Sequence, residues 1–324
     1  MANIKKTPSR LQEILHRQLP ARFGDDYLPA IRATPAEAPS VSRCTVLRSP
    51  KWRREIHVLS HPELKAVLLA LYHPQLFDLH EQKILFPYPQ PNPLKGFHRT
   101  QDRDLQDFKG TVDVCRRLGL ERRHPTIFVQ DEASSGYVPF PYTGDLLLFL
   151  KPQDPVLINW SIKLMQRDFQ RKQRGLFTVA APANQLLDEL DERHRIEELY
   201  YSDGGVKTHR VAGSDIDDQV FHNLKDLFDS LLSDVPLDGR DRLQARALLQ
   251  EAVELKAPGY QALDRVQKRF GLTTFQTSAL FRQEVWYRHV RVDLFQPIDR
   301  SRPLRPEAQD VLQVYARWFQ GSLV

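Results

Sequence analysis

The hydrophobic and polar positions change rhythm along the chain. Up to Pro182 they form short apolar runs broken by proline; beyond it they recur at i, i+3, i+4 and i+7, the period of amphipathic helices. NQLLDELDERHRIEELYY, DDQVFHNLKDLFDSLL and DGRDRLQARALLQEAVEL carry that period most clearly. In the first half, SHPELKAVLLALYHP at 60–74 reads as a helix with its own punctuation. Ser60 is the N-cap, Pro62 suits the first turn and Pro74 is the stop. LFDLHEQKILFPYP, PYTGDLLLFL and PVLINWSIKL read as strands, the last two joined by the turn KPQD. LMQRDFQRKQRG then reads as a basic helix and GLFTVAA as a short strand, whereas residues 20–50 and PYPQPNP at 87–93 read as irregular. The order predicts an α/β domain, a mixed sheet flanked by helices, followed by an all-α region.

Composition sharpens the division. Of 23 prolines, 18 lie at or before Pro182, which keeps long helices out of that half. The 324 residues leave room for two domains, and no stretch approaches the ~18 apolar residues of a membrane helix, so integral membrane function is excluded. Cys44 and Cys115 are too few for a disulfide framework or a zinc cluster and suit a reducing cytoplasm. The N-terminal residues hold no apolar run of the signal-peptide kind, so the chain is expected to stay where it is made. The net charge of +5 is a sum of unlike parts. Residues 1–180 carry 27 Lys and Arg against 18 Asp and Glu, a net of +9; residues 183–259 carry −8 and 260–305 carry +5. The two basic regions suit two surfaces for a polyanion, or, with the acidic stretch, plain solvated faces; the acidic stretch between them reads as a spacer or a docking face for protein.

The hairpin of residues 143–163 concentrates the candidate chemistry. Alternation puts Asn159, Ser161 and Lys163 on one face and Ile158, Trp160 and Ile162 on the other. Asp145 and Lys163 are equidistant from position 154, so antiparallel pairing is expected to bring them level. A carboxylate beside the apolar run 146–149 is costly unless it is paired or holds a metal. Beside a lysine it suits metal-assisted phosphodiester hydrolysis, and equally a plain cross-strand ion pair. Glu63 closes a capping box with Ser60, which also admits two readings, a helix cap or a catalytic carboxylate. His57, His61, His73 and His80 lack metal-ligand spacing and read as surface or hydrogen-bonded core residues. Arg167, Arg171, Lys172 and Arg174 follow Lys163, where they suit DNA phosphates or a solvated face.

The run RSPKWRREIHVLSHPELKAVLLALYHPQLFDLHEQ, then an Asp-bearing strand, then a strand ending in x-Lys, resembles TnsA, the endonuclease subunit of heteromeric transposases. The resemblance spans roughly 43–180. It implies a restriction-endonuclease-like domain with Glu63, Asp145 and Lys163 as catalytic residues. Mg²⁺, replaceable by Mn²⁺, would be held by Glu63, Asp145 and the Ile162 backbone carbonyl. Ser161 would be a weak ligand where the family has Gln or Glu. Arg54, the pair Glu81-Gln82 and His124-Pro125 match the family as well, Arg54 as a DNA contact.

Residues 261–304 read as helix, Gly-containing turn, helix and basic tail, the pattern of a winged helix, which the resemblance also implies. Thr273, Thr274, Gln276 and Thr277 open its second helix, where DNA would be met. The expected divisions are 1–42 lead-in, 43–180 nuclease domain, 181–259 acidic helical region and 260–324 winged-helix-like domain. The resemblance implies 5′-strand cleavage at transposon ends with double-stranded DNA, a DDE-type transposase and an AAA+ ATPase as partners, in the bacterial cytoplasm at the nucleoid. A stand-alone restriction-type nuclease and a non-catalytic DNA-binding assembly factor, the latter if Ser161 marks a decayed site, are the alternatives.

Overall fold

A computed structural model describes residues 6–19, 21–38, 43–100, 103–130, 135–170 and 191–321. In chain order the elements are α1 (Pro8–Gln18), β1 (Thr45–Arg48), β2 (Glu55–Val58), α2 (His61–Leu71), β3 (Leu76–Glu81), β4 (Ile84–Leu85), α3 (Thr111–Arg117), β5 (Thr126–Gln130), β6 (Ser135–Pro139), β7 (Tyr142–Thr143), β8 (Leu146–Leu150) and β9 (Val156–Lys163). They continue with α4 (Glu192–Asp203), β10 (Lys207–Ala212), α5 (Asp218–Asp229), α6 (Gly239–Glu254), α7 (Gly259–Phe270), α8 (Thr274–Trp286) and α9 (Val311–Val314). The chain is mixed α/β, as its rhythm predicts. The expected strand at 175–181 and most of the basic helix lie outside the described residues. The part described, 164–170, holds a 3₁₀ turn at Gln166–Phe169 rather than an α-helix.

The main sheet has the order β10-β9-β8-β3, antiparallel except for the β10–β9 pair. Both faces are covered, so every residue of β8 is buried. Leu148, Ile158, Trp160 and Ile162 face α2, α5 and the C-terminal helices; Leu147, Phe149 and Leu157 face Ile196, Tyr200 and Tyr201 of α4. Each such burial is worth about 1.5–3 kcal/mol, which makes this layer the stability core.

The hairpin register differs from expectation. Its loop spans 151–155, with Lys151 in the left-handed region at φ 57°, and Leu146 pairs with Trp160. Asp145 therefore stands level with Ser161, two residues short of Lys163. The β3–β8 ladder also continues past its apparent end. Glu81 pairs with Leu146 and Ile84 with Thr143 at an unchanged offset, and between them Gln82 N donates to Asp145 O and Gly144 N to Lys83 O. Gln82, at φ 51°, bends the ladder at that point.

Two expected divisions are corrected. Residues 181–259 are not a separate helical region: α4 covers one face of the sheet and β10 completes it, because Thr208, His209 and Val211 alternate as a strand beside β9. Residues 260–324 share the sheet's own core, since one apolar cluster runs from Leu47 to Trp318. The tail returns to the sheet: Trp160 Nε1 donates to Trp318 O at 2.7 Å, and His209 Nε2 lies 2.7 Å from Gln320 O. Ion pairs join the basic block to the acidic one, as in Arg282–Asp226 and Arg265–Glu251. The two charge blocks are thus partly paired with each other.

Candidate functional site

The bend in the ladder is where the candidate catalytic residues meet. α2 starts there because Ser60 caps it, its Oγ accepting from Glu63 N at 3.3 Å. Glu63, in the first turn, reaches back: Oε2 accepts from Leu59 N and from Gln82 Nε2, both at 3.0 Å, and Ser60 Oγ donates to Oε1 at 2.8 Å. Ser60 is thus the N-cap as expected, but Glu63 does not close a capping box: its carboxylate accepts from Leu59 N rather than from Ser60 N, and Gln82 ties it to the ladder. Gly213, just past β10, presses on this turn; a Cβ there would lie 2.8 Å from Pro62 Cβ.

Asp145 immediately precedes β8, opposite the C-terminal end of β9. Its Oδ2 accepts from Ile162 N at 2.6 Å, taking the place of a strand carbonyl. Lys163 Nζ donates to Ile162 O at 3.1 Å, so the two side chains engage the N–H and the C=O of one β9 residue. A third carboxylate, absent from the sequence-based set, comes from α4. Glu197, 2% exposed, accepts from Asn159 Nδ2 at 3.0 Å through Oε1 and from Ser161 Oγ at 3.1 Å through Oε2. A Cβ on Gly144 would lie 3.4 Å from Glu197 Oε1, which puts this acid against the residue before Asp145. The signal for Glu197 is a charge in the stripe His194, Glu197, Tyr201, next to apolar Ile196 and Tyr200.

The electrostatics set this cluster apart. Burial, and then the charge of Asp145, push Glu63 up to about 7 from the ordinary 4.5, against the hydrogen bonds from Leu59 and Ser60. Burial and Asp145 likewise raise Glu197, against Arg193, Asn159 and Lys163. His194, whose Nδ1 lies 3.1 Å from Ser161 Oγ, is pushed down to about 3 by burial and then by the positive charge of Lys163 and Arg193, so it stays neutral. At Glu63 and Glu197 burial and the charge of Asp145 thus outweigh the hydrogen bonds and nearby cations that favour ionisation.

The remaining predicted residues fall elsewhere. Arg54 is buried and clamps Glu81, Nη1 lying 2.8 and 2.9 Å from the two carboxylate oxygens, with further bonds to the carbonyls of Gly24, Glu55 and Leu79. It braces β3 from within and presents no face to DNA. Ser161 is 2% exposed and engaged by Glu197 and His194 rather than open to a ligand. Arg167 is exposed, while Arg171, Lys172 and Arg174 lie outside the described residues. Gly271 at φ 64° makes the expected turn between α7 and α8, but α8 is buried from Thr277 to Trp286, Arg282 alone being half-buried. Thr277 is 1% exposed and its hydroxyl donates to Thr273 O; Gln276 closes a capping box with Thr273; Thr274 is exposed and donates to Gln267. A helix so enclosed cannot enter a groove. In place of wing strands there are, among the described residues, only the isolated bridges Val292–Pro306 and Pro258–Pro303. The histidines lie in hydrogen bonds and ring contacts, as expected: His57 with Ala33 N, His80 with Asp78, and His61 and His73 against Phe221 and Phe319. His124 bonds Thr111 Oγ1 at 2.8 Å.

No family model and no curated protein matches this chain. Among the described residues no group of three or more His, Cys, Asp or Glu side chains is disposed to hold a metal ion. The donors at the bend are nevertheless of one chemical kind, carboxylate and carbonyl oxygens, and their mutual repulsion is what a hard divalent cation relieves. No helix among the described residues is long and apolar enough to cross a membrane.

Proposed function

We propose that this chain is a metal-dependent DNA endonuclease with a restriction-endonuclease-like catalytic domain, nicking the 5′ strand at transposon ends beside a DDE-type transposase and an AAA+ ATPase in the bacterial cytoplasm. The observation that carries the reading is the grouping of Asp145 with Glu63, whose pKa it helps to raise, and with Lys163 on the adjoining peptide. Glu63, Asp145 and the Ile162 carbonyl would hold Mg²⁺, which supplies Lewis-acid stabilisation of the phosphate and a more acidic water. Burial and Asp145 raise Glu63 to about 7 when no cation is bound; with the cation in place that shift is opposed and Glu63 stays an ionised ligand, leaving Lys163 to act on the attacking water. Lys163 has two N–H donors beyond the one aimed at Ile162 O, enough to bond a non-bridging phosphate oxygen and hold developing charge. Gln82 holds the Glu63 carboxylate by one oxygen and so fixes its direction. Glu197 supports the β9 side of the site, substituting by its own carboxylate for the short Ser161 side chain.

The test is cleavage of a duplex bearing a transposon end, with Mg²⁺ and with or without the partner transposase, followed strand by strand on denaturing gels. The wild type nicks the 5′ strand when the partner is present, and Asp145→Ala and Lys163→Ala each lose that nick. Undiminished nicking in both variants overturns the site assignment. Nicking without any partner favours the stand-alone nuclease.

A further inference from the structure

The helix that supplies Glu197 also supplies a cation to which the reading above gives no role. Arg193 stands one turn earlier on α4, and its Nη2 donates to the carbonyl of Thr143, two residues ahead of Asp145. Its guanidinium lies 5.0 Å from the centre of the Tyr142 ring. Its Nε is buried without a hydrogen-bond partner among the described residues. Its charge is felt by Glu197 and by His194, so it belongs electrostatically to the site.

Other arginines nearby are neutralised. Arg123 pairs with Glu192 and Arg210 with Glu198, whereas no carboxylate among the described residues pairs with Arg193. The placement is costly in two respects. A cation in the first turn of a helix opposes the macrodipole by about 0.3–1 kcal/mol, and a buried N–H without an acceptor costs about 1–3 kcal/mol. Stacking on Tyr142 and the bond to Thr143 hold the group in place and leave Nη1 and the second Nη2 hydrogen without a partner among the described residues. Those two end nitrogens match two oxygens of one phosphate.

We infer that Arg193 is a substrate-contacting residue of this site, binding the non-bridging oxygens of a DNA backbone phosphate beside the scissile one. The inference rests on the nuclease reading and assigns it a phosphate clamp. Each phosphate contact contributes about 0.9 to the slope of log K against log salt on duplex DNA.

The test titrates the full chain with a labelled duplex in EDTA at a series of salt concentrations, and measures nicking separately in Mg²⁺. Arg193→Gln removes the charge and, ending two bonds short of Nη2, also gives up the Thr143 bond; Arg193→Lys keeps the charge and loses the fork, so the salt slope, which a brace does not set, is the deciding readout. Expected are a slope reduced by about 0.9 for Arg193→Gln and unchanged for Arg193→Lys, with nicking falling about 10- to 100-fold in the former and less in the latter. A wild-type slope in Arg193→Gln, whatever happens to nicking, reduces the residue to a brace for Thr143 and overturns the inference alone. If the wild type shows no salt-dependent DNA binding, the nuclease reading falls and the inference with it.

Discussion

Two regions of this molecule bury carboxylates, and they treat them in opposite ways. In the C-terminal helices Glu284 is wholly buried, yet Arg242 and Arg246 donate to its two oxygens at 2.7 and 2.6 Å and His289 Nδ1 lies 3.0 Å away. Burial alone would raise its pKa, but the two arginines outweigh burial and the net shift is downward. At the bend in the sheet, burial and the neighbouring Asp145 win and Glu63 goes up. A buried acid is thus no sign of chemistry in itself. What separates a structural carboxylate from a candidate catalytic one is whether the fold supplies the compensating charge or leaves it for a cation to bring.

That contrast is open to breakage at several points. The largest expected effect is on rate: Asp145→Asn, which removes the charge but keeps an oxygen to accept from Ile162 N, lowers strand nicking by about 10³-fold, some 4 kcal/mol of barrier, with the thermal midpoint unchanged or raised. Equal losses of rate and stability would put Asp145 in the same category as Glu284. Next is Glu284→Gln, which leaves two arginines facing an uncharged amide and costs about 3 kcal/mol in chemical denaturation. A neutral result would show that the clamp is ornamental.

Glu63→Gln tests the sign at the other acid. The folded pKa, about 7, lies above the ordinary 4.5, so the wild type is favoured by protonation at low pH and loses that share of stability as pH rises through 7. The Gln variant should match the wild type near about pH 4 and exceed it by on the order of 2 kcal/mol above about pH 8, read from thermal midpoints across pH. A wild type that gains stability over that interval contradicts the assignment. The smallest effect is expected for Gly213→Ala, where a methyl meets Pro62; about 1 kcal/mol of stability is lost, together with a drop in nicking as Glu63 shifts.

The local parts of this arrangement are legible in the sequence and the long-range parts are not. Ser60 and Glu63 announce the start of α2 because capping chemistry is local, and the alternation of 157–163 announces β9 because side-chain period is local too. The register is hidden, since the left-handed Lys151 and a five-residue loop move the pairing by two positions. Arg54 reads as a DNA contact in the sequence because an arginine's partner, here Glu81, is settled by tertiary packing. α8 reads as a recognition helix from its turn, but the tail and α5, α6 and α7 enclose it. Glu197 and Arg193 stay out of sight because each reaches the bend from a helix that sequence order assigns to another region.

The return of the tail bears on how the chain is made. Trp160 hydrogen-bonds to a carbonyl 158 residues further on, and Val156 packs so closely against Gly321 that a Cβ there would lie 2.2 Å from it. During synthesis β9 emerges long before its cover, so that apolar face stays open while the rest of the chain is added. A ribosome-bound chain halted before Tyr315 should remain protease-sensitive across 156–163, and one extended past Gly321 should become resistant, which makes the nascent sheet a late-closing unit that chaperones would meet with its tryptophan exposed.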